Sequence, residues 1–207
     1  MSPVLNSLSP RIGFFGGTFD PPHNGHLQIA QAAIKQASLD KLLLCPAHHA
    51  PLRTEQSLFS PKHRLEMVSS ICQNRPKMDV LDTEIEHGKR RYSFETIQEI
   101  KSQFPDNKIF FILGADQFSR LSEWKNVDFL AQSVHFLVFA RHSKNPAIPS
   151  VENINFSFMD NDLINISSTD IRKHIHCQRL PVSLLPVEVS NYLSTQNLYP
   201  LENITTA

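Results

Sequence analysis

The sequence has no excess of charge of either sign. Its 207 residues carry 20 lysine and arginine side chains against 20 aspartate and glutamate side chains, so the formal net charge is zero. A neutral chain lacks the long-range field that draws proteins to nucleic acids and to anionic membranes. We therefore expect no nucleic-acid partner and no membrane partner, and any phosphate site must be built from a few local groups.

Long apolar runs and paired cysteines are also absent. No apolar stretch reaches the roughly 20 residues that span a bilayer, and the opening MSPVLNSLSP has neither the basic nor the apolar segment of a secretory signal. The three cysteines, Cys45, Cys72 and Cys177, are odd in number and widely spaced, which favours neither a disulfide framework nor a zinc site. We expect free thiols and a cytoplasmic protein.

Short apolar runs alternate with segments of helical periodicity through most of the chain. The predicted strands are RIGFF, KLLLC, MDVLD, KIFFILG, VHFLVFA and INFSFM. The predicted helices are HLQIAQAAIKQA, PKHRLEMVSSIC, SFETIQEIKSQF, ISSTDIRKHI and a last one from Pro186. This alternation predicts a doubly wound, mainly parallel α/β sheet with helices on both faces. Because no repeat or linker divides the chain, we predict an N-terminal extension at 1–10 and one domain at 11–207.

The stretch GGTFDPPHNGH, residues 16–26, joins the first predicted strand to the first predicted helix. Its glycines let a ligand approach the backbone, and a helix N-terminus supplies N–H groups and partial positive charge, which together favour phosphate. His23 and His26 are three residues apart, so both rings lie on one face of the first helical turn and can meet one ligand. The glycine spacing is not GxGxxG, which disfavours a dinucleotide-dependent oxidoreductase.

A histidine pair with this spacing is also compatible with a zinc site. The third ligand would be His48, His49 or His63. The glycine and threonine context and the lack of an acidic residue between the two histidines argue against zinc. Asp20, in the same stretch, can equally be a turn residue or the N-cap of the helix.

The stretch 16–26 closely resembles the signature of the HxGH nucleotidyltransferase superfamily, and its detailed form resembles that of bacterial nicotinate-nucleotide adenylyltransferases. Further matches follow in order along residues 11–199: HRLEM at 63–67, the Glu84 stretch before YSFET at 92–96, GADQF followed by Trp124, Arg141, ISSTDIR at 166–172 and LLPVEVSNYLSTQNLY at 184–199. One such motif can arise by chance, but the ordered set is specific.

The resemblance implies a Rossmann-like fold and a defined reaction. AMP is transferred from ATP to nicotinic acid mononucleotide, which gives nicotinic acid adenine dinucleotide and pyrophosphate in NAD biosynthesis. Mg²⁺ accompanies the triphosphate. The incoming phosphate is already an anion, so the chemistry needs alignment and charge neutralisation rather than a protein nucleophile.

The resemblance also implies roles for individual residues. The catalytic residues are His23, His26 and Arg172. The residues that bind ATP are Gly16, Gly17, Thr18, Phe19, Gly114, Asp116, Ser167, Ser168 and Thr169. The residues that bind nicotinic acid mononucleotide are Arg53, Tyr92, Ser93, Trp124 and Arg141. No residue is assigned as a metal ligand.

Several of these residues also have ordinary structural interpretations. Ser168 and Thr169 are N-cap candidates for the helix IRKHI, and Ser93 is one for the helix that follows it. Trp124, the single tryptophan, can be a packing residue, and Arg172 can be a solvated surface residue. For Trp124 and Arg172 the motif context favours the functional role.

One segment departs from the family pattern. The family usually shows a PPHK-like stretch after its second strand, whereas this chain reads CPAHHAPLRTE. Leu52 occupies the position of the histidine, and only Arg53 keeps the charge. Either His48 or His49 compensates, or the affinity for the mononucleotide is lower.

Two alternative functions remain compatible with the sequence. A related adenylyltransferase that uses nicotinamide mononucleotide or phosphopantetheine needs the same triphosphate machinery. A non-catalytic nucleotide-binding protein could keep the fold, although the retained histidines and Arg172 argue against it. A homo-oligomer is compatible with every one of these functions.

Overall fold

The computed structural model describes residues 9–49, 56–140, 147–160, 166–177 and 179–198. The strands are β1 (Arg11–Gly17), β2 (Lys41–Pro46), β3 (Met78–Val80), β4 (Lys108–Gly114), β5 (His135–Phe139) and β6 (Asn155–Met159). The α-helices are α1 (Asn24–Gln36), α2 (Pro61–Cys72), α3 (Thr83–Glu86), α4 (Ser93–Gln103), α5 (Ala115–Phe118), α6 (Val127–Ser133), α7 (Ser168–His176) and α8 (Val187–Thr195). Two 3₁₀ turns lie at Leu121–Glu123 and Val182–Leu184.

The six strands form one parallel sheet in the order β3-β2-β1-β4-β5-β6. The chain builds outward from β1 to β3 and then crosses to the other side of β1 to start again at β4. The order therefore reverses between β1 and β4, and open α/β sheets bind ligands at the carboxyl ends of the strands at such a point. The predicted doubly wound fold is confirmed.

Successive side chains of the central strands enter two separate cores, one on each face of the sheet, because neighbouring residues of a strand point to opposite faces. The α1 face buries Phe15, Leu42, Leu44, Phe110 and Ile112. The α4 face buries Phe14, Leu43, Phe111, Leu113 and Val138. Both faces are covered, and this explains the nearly continuous apolar runs that marked the strands in the sequence.

A third core, which we call the C-terminal cluster, lies away from the sheet. It joins Met67 and Ile71 of α2 to Val189 and Leu193 of α8, with Ile171 of α7 buried among them. The helix α7 is therefore held by α2 and α8. This packing sets α7 at the sheet edge where β1 ends.

The helix starts agree with the sequence in one case and differ in two. The pair Ser60-Pro61 predicts an N-cap followed by a proline at the first helical position. Ser60 does cap α2, because its hydroxyl oxygen accepts a hydrogen bond from the N–H of His63 at 3.3 Å. The helix α4 begins at Ser93, so Tyr92 is its N-cap, and the Glu95 carboxylate accepts the Tyr92 N–H at 2.8 Å. The predicted N-cap at Ser93 is thus one residue too late.

The start of α7 also differs from the expectation. Ser167 is its N-cap, and its hydroxyl accepts the N–H of Asp170 at 3.1 Å. Ser168 and Thr169, the predicted N-cap candidates, lie inside the first turn. Their hydroxyl groups are therefore not consumed by capping.

The state of the cysteines agrees with the sequence prediction, whereas three short helices were not predicted. Cys45, Cys72 and Cys177 are free thiols, as predicted. The short helices α3, α5 and α6 were not predicted, because four to seven residues give too little periodicity to read.

Within the described ranges, no helix is long and apolar enough to cross a membrane.

Candidate functional site

A cleft of about 620 Å³ opens at the carboxyl ends of β1 and β4. Every predicted site residue within the described ranges lines it: Gly16, Gly17, Thr18, Phe19, His23, His26, Tyr92, Ser93, Gly114, Asp116, Trp124, Ser167, Ser168, Thr169 and Arg172. Arg53 and Arg141 lie outside the described residues. The motifs on which the resemblance depends are separate in the sequence, but in the structure they lie together around one cleft.

The two histidines of the first helical turn are held against each other. Their rings stack with centroids 3.7 Å apart, and the backbone N–H of His23 donates to Nδ1 of His26 at 3.2 Å. Because Nδ1 acts as the acceptor, the proton of a neutral His26 ring sits on Nε2. His23 is only 2% exposed, so His26 is the more accessible ring of the pair.

The ring of Phe19 packs against the ring of His26. Its ring is buried at 1% exposure and meets the His26 ring edge-on at 4.9 Å between centroids. Its backbone has a φ of +49°, in the left-handed region that non-glycine residues adopt rarely and usually under constraint. The side chain of Phe19 packs in the core, so its backbone is the part of the residue that a ligand in the cleft can meet.

Asp20 lies in a bend before α1, which agrees with its interpretation as a turn residue, but the N-cap of that helix is His23, so the N-cap interpretation is wrong. Its carboxylate is fully buried and accepts the backbone N–H groups of Leu58 and Phe59 at 3.0 and 2.9 Å. The guanidinium of Arg172 donates to the backbone oxygen of Asp20 at 3.0 Å and lies 3.7 Å from its carboxylate. Asp20 thus links the histidine loop both to the start of α2 and to α7.

Arg64 also links separate segments around the cleft, through a buried cation rather than a buried carboxylate. Its guanidinium is fully buried. It donates to the carbonyl oxygens of Thr18 and Ala47, each at 2.6 Å, and to those of His48 and Phe59 at 3.1 and 3.2 Å. Nothing in the sequence indicated these long-range contacts of Asp20 and Arg64, since their partners are distant along the chain.

The first turn of α7 presents polar groups to the cleft. The hydroxyl of Ser168 donates to the carbonyl of Pro21 at 3.1 Å, which fixes α7 against the histidine loop. The hydroxyl of Thr169 accepts from Arg172 at 3.1 Å. Arg172 is therefore oriented from two sides, by Thr169 within its own helix and by Asp20 across the cleft.

Tyr92, Ser93 and Trp124 line the other half of the cleft, which we call the acceptor half. Trp124 packs against Phe111 of the α4-face core at 5.8 Å between centroids. Its indole N–H is buried and has no hydrogen-bond partner among the described residues. The histidines stand on the α1 side of the sheet and Trp124 on the α4 side, so the cleft crosses the edge of the sheet.

The acceptor half also contains groups that the sequence did not single out as site residues, namely Glu84, Arg90, Arg91, Arg120, Glu123 and Lys125. Arg91 is committed to structure, because it bonds to the carboxylate of Glu99 at 2.9 Å and to the hydroxyl of Thr83 at 3.0 Å. Glu123 forms an exposed ion pair with Arg120 at 2.7 Å. For the arginines, the lysine and Glu123, proximity in sequence to Tyr92 or Trp124 was the feature that could have indicated a place in the cleft.

Glu84 is a carboxylate in a largely apolar setting. It is 7% exposed and accepts a hydrogen bond from the hydroxyl of Thr96 at 3.0 Å. Burial raises the pKa of Glu84 above its ordinary value, and the Thr96 hydroxyl and Arg91 oppose that shift only in part. Burial, and after it the neighbouring Glu84 carboxylate, raise the pKa of the Cys45 thiol, which is therefore inert rather than nucleophilic.

The residues proposed as substitutes in the departing loop do not reach the cleft. His48 and His49 are absent from its lining. His63, which the sequence offered only as a possible third zinc ligand, bonds through Nδ1 to the hydroxyl of Tyr192 at 2.9 Å. The rest of that loop, 50–55, lies outside the described residues. The effect of Leu52 therefore stays a prediction.

The chain is similar to known proteins over most of its length. A family model described as cytidylyltransferase-like matches residues 14–174. A Bacillus pumilus protein named "Probable nicotinate-nucleotide adenylyltransferase" is 34% identical over 190 residues, covering 91% of this chain and 98% of that protein. The Bacillus subtilis nicotinate-nucleotide adenylyltransferase is 32% identical over 189 residues, with coverage of 91% and 98%.

Solved structures share the fold. The Plasmodium falciparum nicotinic acid mononucleotide adenylyltransferase complexed with NaAD superposes with a TM-score of 0.72 at 20% identity, covering 92% of this chain and 97% of that one. The fold of this chain is therefore one that solved proteins share.

We predict that Arg64→Met lowers the free energy of unfolding by about 3 kcal/mol, because it leaves buried carbonyl groups without donors. Urea unfolding measures the loss. Arg179→Met, at an exposed position, is the matched control and should change stability by no more than about 0.5 kcal/mol. Equal losses in the two variants would contradict the role given to the Arg64 guanidinium.

We also predict that Glu84→Gln stabilises the protein increasingly as the pH rises. The folded pKa of Glu84 lies above the ordinary value of 4.5, so its contribution to stability is full below that value and is lost as the pH rises through the folded pKa. The Tm difference between variant and wild type, measured from pH 4 to pH 9, should grow across that window. Glu86→Gln, on the exposed side of α3, is the control and should show no such growth.

Proposed function

The chain belongs to the cytidylyltransferase-like family, and within it to the nicotinate-nucleotide adenylyltransferases. On that premise we propose that it transfers AMP from ATP to nicotinic acid mononucleotide in NAD biosynthesis. The observation that carries the proposal is the convergence of His26, Arg172 and Trp124 on one cleft at the point where the strand order reverses.

The reaction is a displacement at phosphorus. A phosphate oxygen of the mononucleotide forms a bond to the α-phosphorus of ATP, and the bond from that phosphorus to the bridging oxygen breaks, so pyrophosphate leaves with the bonding electrons. No proton has to be removed from the attacking group, because the phosphate is already ionised. The protein must bring the two anions together and stabilise the charge that develops on the transferred group.

His26 is the best placed group for that stabilisation. It stands third in α1, where the helix N-terminus adds a partial positive charge, and its Nδ1 is occupied by the His23 N–H. The Nε2 atom is then the donor to an α-phosphate oxygen. His23 orients this ring by stacking and by its backbone bond.

The remaining ATP contacts follow the shape of the cleft. Arg172 reaches the β- and γ-phosphates from α7, with Ser167, Ser168 and Thr169 around the helix start. The ends of β1 supply the backbone of Gly16, Gly17, Thr18 and Phe19. Asp116 is exposed just after β4, where it and the backbone of Gly114 accept the adenylate ribose hydroxyls.

The acceptor half holds the mononucleotide. Trp124 stacks on the nicotinate ring, and its buried indole N–H would gain a partner from the bound ligand. The backbone of Tyr92 and Ser93 meets the ring carboxylate at the start of α4, where a helix N-terminus favours an anion. Arg53 and Arg141 remain the predicted contacts of the mononucleotide phosphate.

Mg²⁺ enters as part of the ATP substrate, where it neutralises charge on the phosphates. No group of three histidine, cysteine, aspartate or glutamate side chains in the described ranges is arranged to hold a metal ion. The carboxylate of Asp20 is taken up by backbone N–H groups and faces Arg172. Mg²⁺ commonly keeps phosphate and water ligands, and the triphosphate can supply the former.

The experiment that tests the function measures pyrophosphate release from ATP and Mg²⁺ with three acceptors: nicotinic acid mononucleotide, nicotinamide mononucleotide and phosphopantetheine. We expect the largest kcat/KM with nicotinic acid mononucleotide. Preference for another acceptor would refute the ring assignment and keep the phosphate chemistry. Absence of turnover with all three would favour a non-catalytic nucleotide-binding protein.

We predict that His26→Ala lowers kcat by about 10²-fold or more, because one donor to the developing charge is lost. His176→Ala, exposed near the end of α7, is the control and should retain wild-type turnover. Circular dichroism checks that the fold is intact. Wild-type turnover in the His26 variant would overturn the mechanism.

We predict that Arg172→Ala raises the KM for ATP by about tenfold or more, because a charged hydrogen bond to the phosphates is lost. Lys173→Ala, next to it on the exposed side of α7, serves as the control. A rise confined to the KM of the mononucleotide would contradict the place given to Arg172.

A further inference from the structure

Three side chains at the mouth of the acceptor half form what we call the tyrosine-cation cluster: Arg90, Tyr92 and Lys125. The ammonium of Lys125 lies 4.5 Å from the centroid of the Tyr92 ring, and the guanidinium carbon of Arg90 lies 5.6 Å from it. Both cations are thus held on one aromatic ring by cation–π attraction. All three residues line the cleft.

Lys125 directly follows Trp124, the residue on which the substrate ring stacks in the proposed function. The chain turns there: Trp124 is the C-cap of the 3₁₀ helix Leu121–Glu123, and α6 begins at Val127. The indole packs inward against Phe111, while the Lys125 ammonium lies over Tyr92 at the start of α4. Lys125 therefore bridges the two segments that enclose the ring.

The charges around Lys125 leave its ammonium available to a ligand. Glu123 is engaged by the guanidinium of Arg120 at 2.7 Å. Glu84 is buried and bonded to Thr96 at 3.0 Å. Within the described ranges, no carboxylate oxygen forms an ion pair with Lys125, and its recorded contact is with the Tyr92 ring.

We propose that Lys125 is a specificity-determining residue that makes the acceptor half select a ring bearing a carboxylate over the same ring bearing a carboxamide. The inference rests on the proposed function, because it takes the mononucleotide ring to lie beside Trp124. It goes beyond that function by naming a side-chain charge, in addition to backbone donors, as a source of the selectivity.

The physical basis is a difference in charge between two ligands of nearly equal shape. An ammonium stabilises a nearby carboxylate by Coulomb attraction, whereas a carboxamide gains only the interaction of a neutral dipole. The effect is moderated because Lys125 is exposed and salt screens it. Contact with Tyr92 limits the freedom of the long side chain, so less entropy is lost when the ligand binds.

The test compares kcat/KM for nicotinic acid mononucleotide and nicotinamide mononucleotide in wild type and in Lys125→Met. We expect the acid-to-amide ratio to fall about tenfold in Lys125→Met, mainly through the KM of the acid. It should fall further in Lys125→Glu and be kept within about threefold in Lys125→Arg. The KM for ATP should stay unchanged in all three variants.

Two controls separate this role from a structural one. Lys35→Met removes an exposed lysine from the last turn of α1, away from the cleft, and should leave the ratio unchanged. Raising the salt concentration should lower the ratio in wild type and have little effect in Lys125→Met, because only the former carries the screened interaction.

The outcomes are distinguishable. A wild-type protein that does not use nicotinic acid mononucleotide fails the proposed function itself. A wild type that prefers the acid, together with an unchanged ratio in Lys125→Met and Lys125→Glu, overturns the inference about Lys125 alone. An equal loss for both acceptors also overturns it, because that pattern reports ring binding rather than charge selection.

Discussion

The arrangement of the cleft depends on the carbonyl groups that converge on the guanidinium of Arg64. Thr18 follows β1, Ala47 and His48 follow β2, and Phe59 precedes α2. These segments are not regular structure, and their carbonyls would lack donors in the protein interior. A planar guanidinium with five donors can satisfy them together, which a single ammonium or an apolar side chain cannot do. The loops of the site therefore take their positions from a buried side chain of α2.

Asp20 complements this arrangement on the other side of the same loops. Its carboxylate accepts two backbone N–H groups, as the Arg64 guanidinium donates to carbonyl groups, and Asp20 also contacts Arg172, the proposed phosphate-binding cation. Arg172 is thus oriented before substrate arrives, so part of the entropy cost of aligning it is already met in the folded state. Asp20 therefore both holds the loops in place and orients Arg172, so a substitution of Asp20 would affect both roles.

The sequence predicted the fold, and it singled out motifs that the structure brings together on the histidine side of the cleft, because both depend on local patterns. Alternating apolar and periodic segments define the sheet, and the histidine stretch and the serine-rich helix start are contiguous motifs. The buried role of Asp20 was missed because its partners Leu58 and Phe59 lie 38 and 39 residues away. Lys125 escaped notice because its meaning comes from Tyr92, which only tertiary structure brings near. Contacts between distant segments leave no local pattern to read.

The packing of α7 on α2 and α8 has a consequence for the energetics of the whole chain. The C-terminal cluster, rather than the sheet, holds the helix that carries Arg172. Any partial opening that frees α8 is therefore expected to loosen the side of the cleft that α7 forms, and by mass action a ligand bound there is expected to stabilise the packing of α8. Nucleotide bound near the first turn of α7 should slow amide hydrogen exchange in α8, although α8 itself contributes no residue to the cleft lining. Slower exchange in α8 would thus report occupancy of a cleft to which that helix contributes no residue.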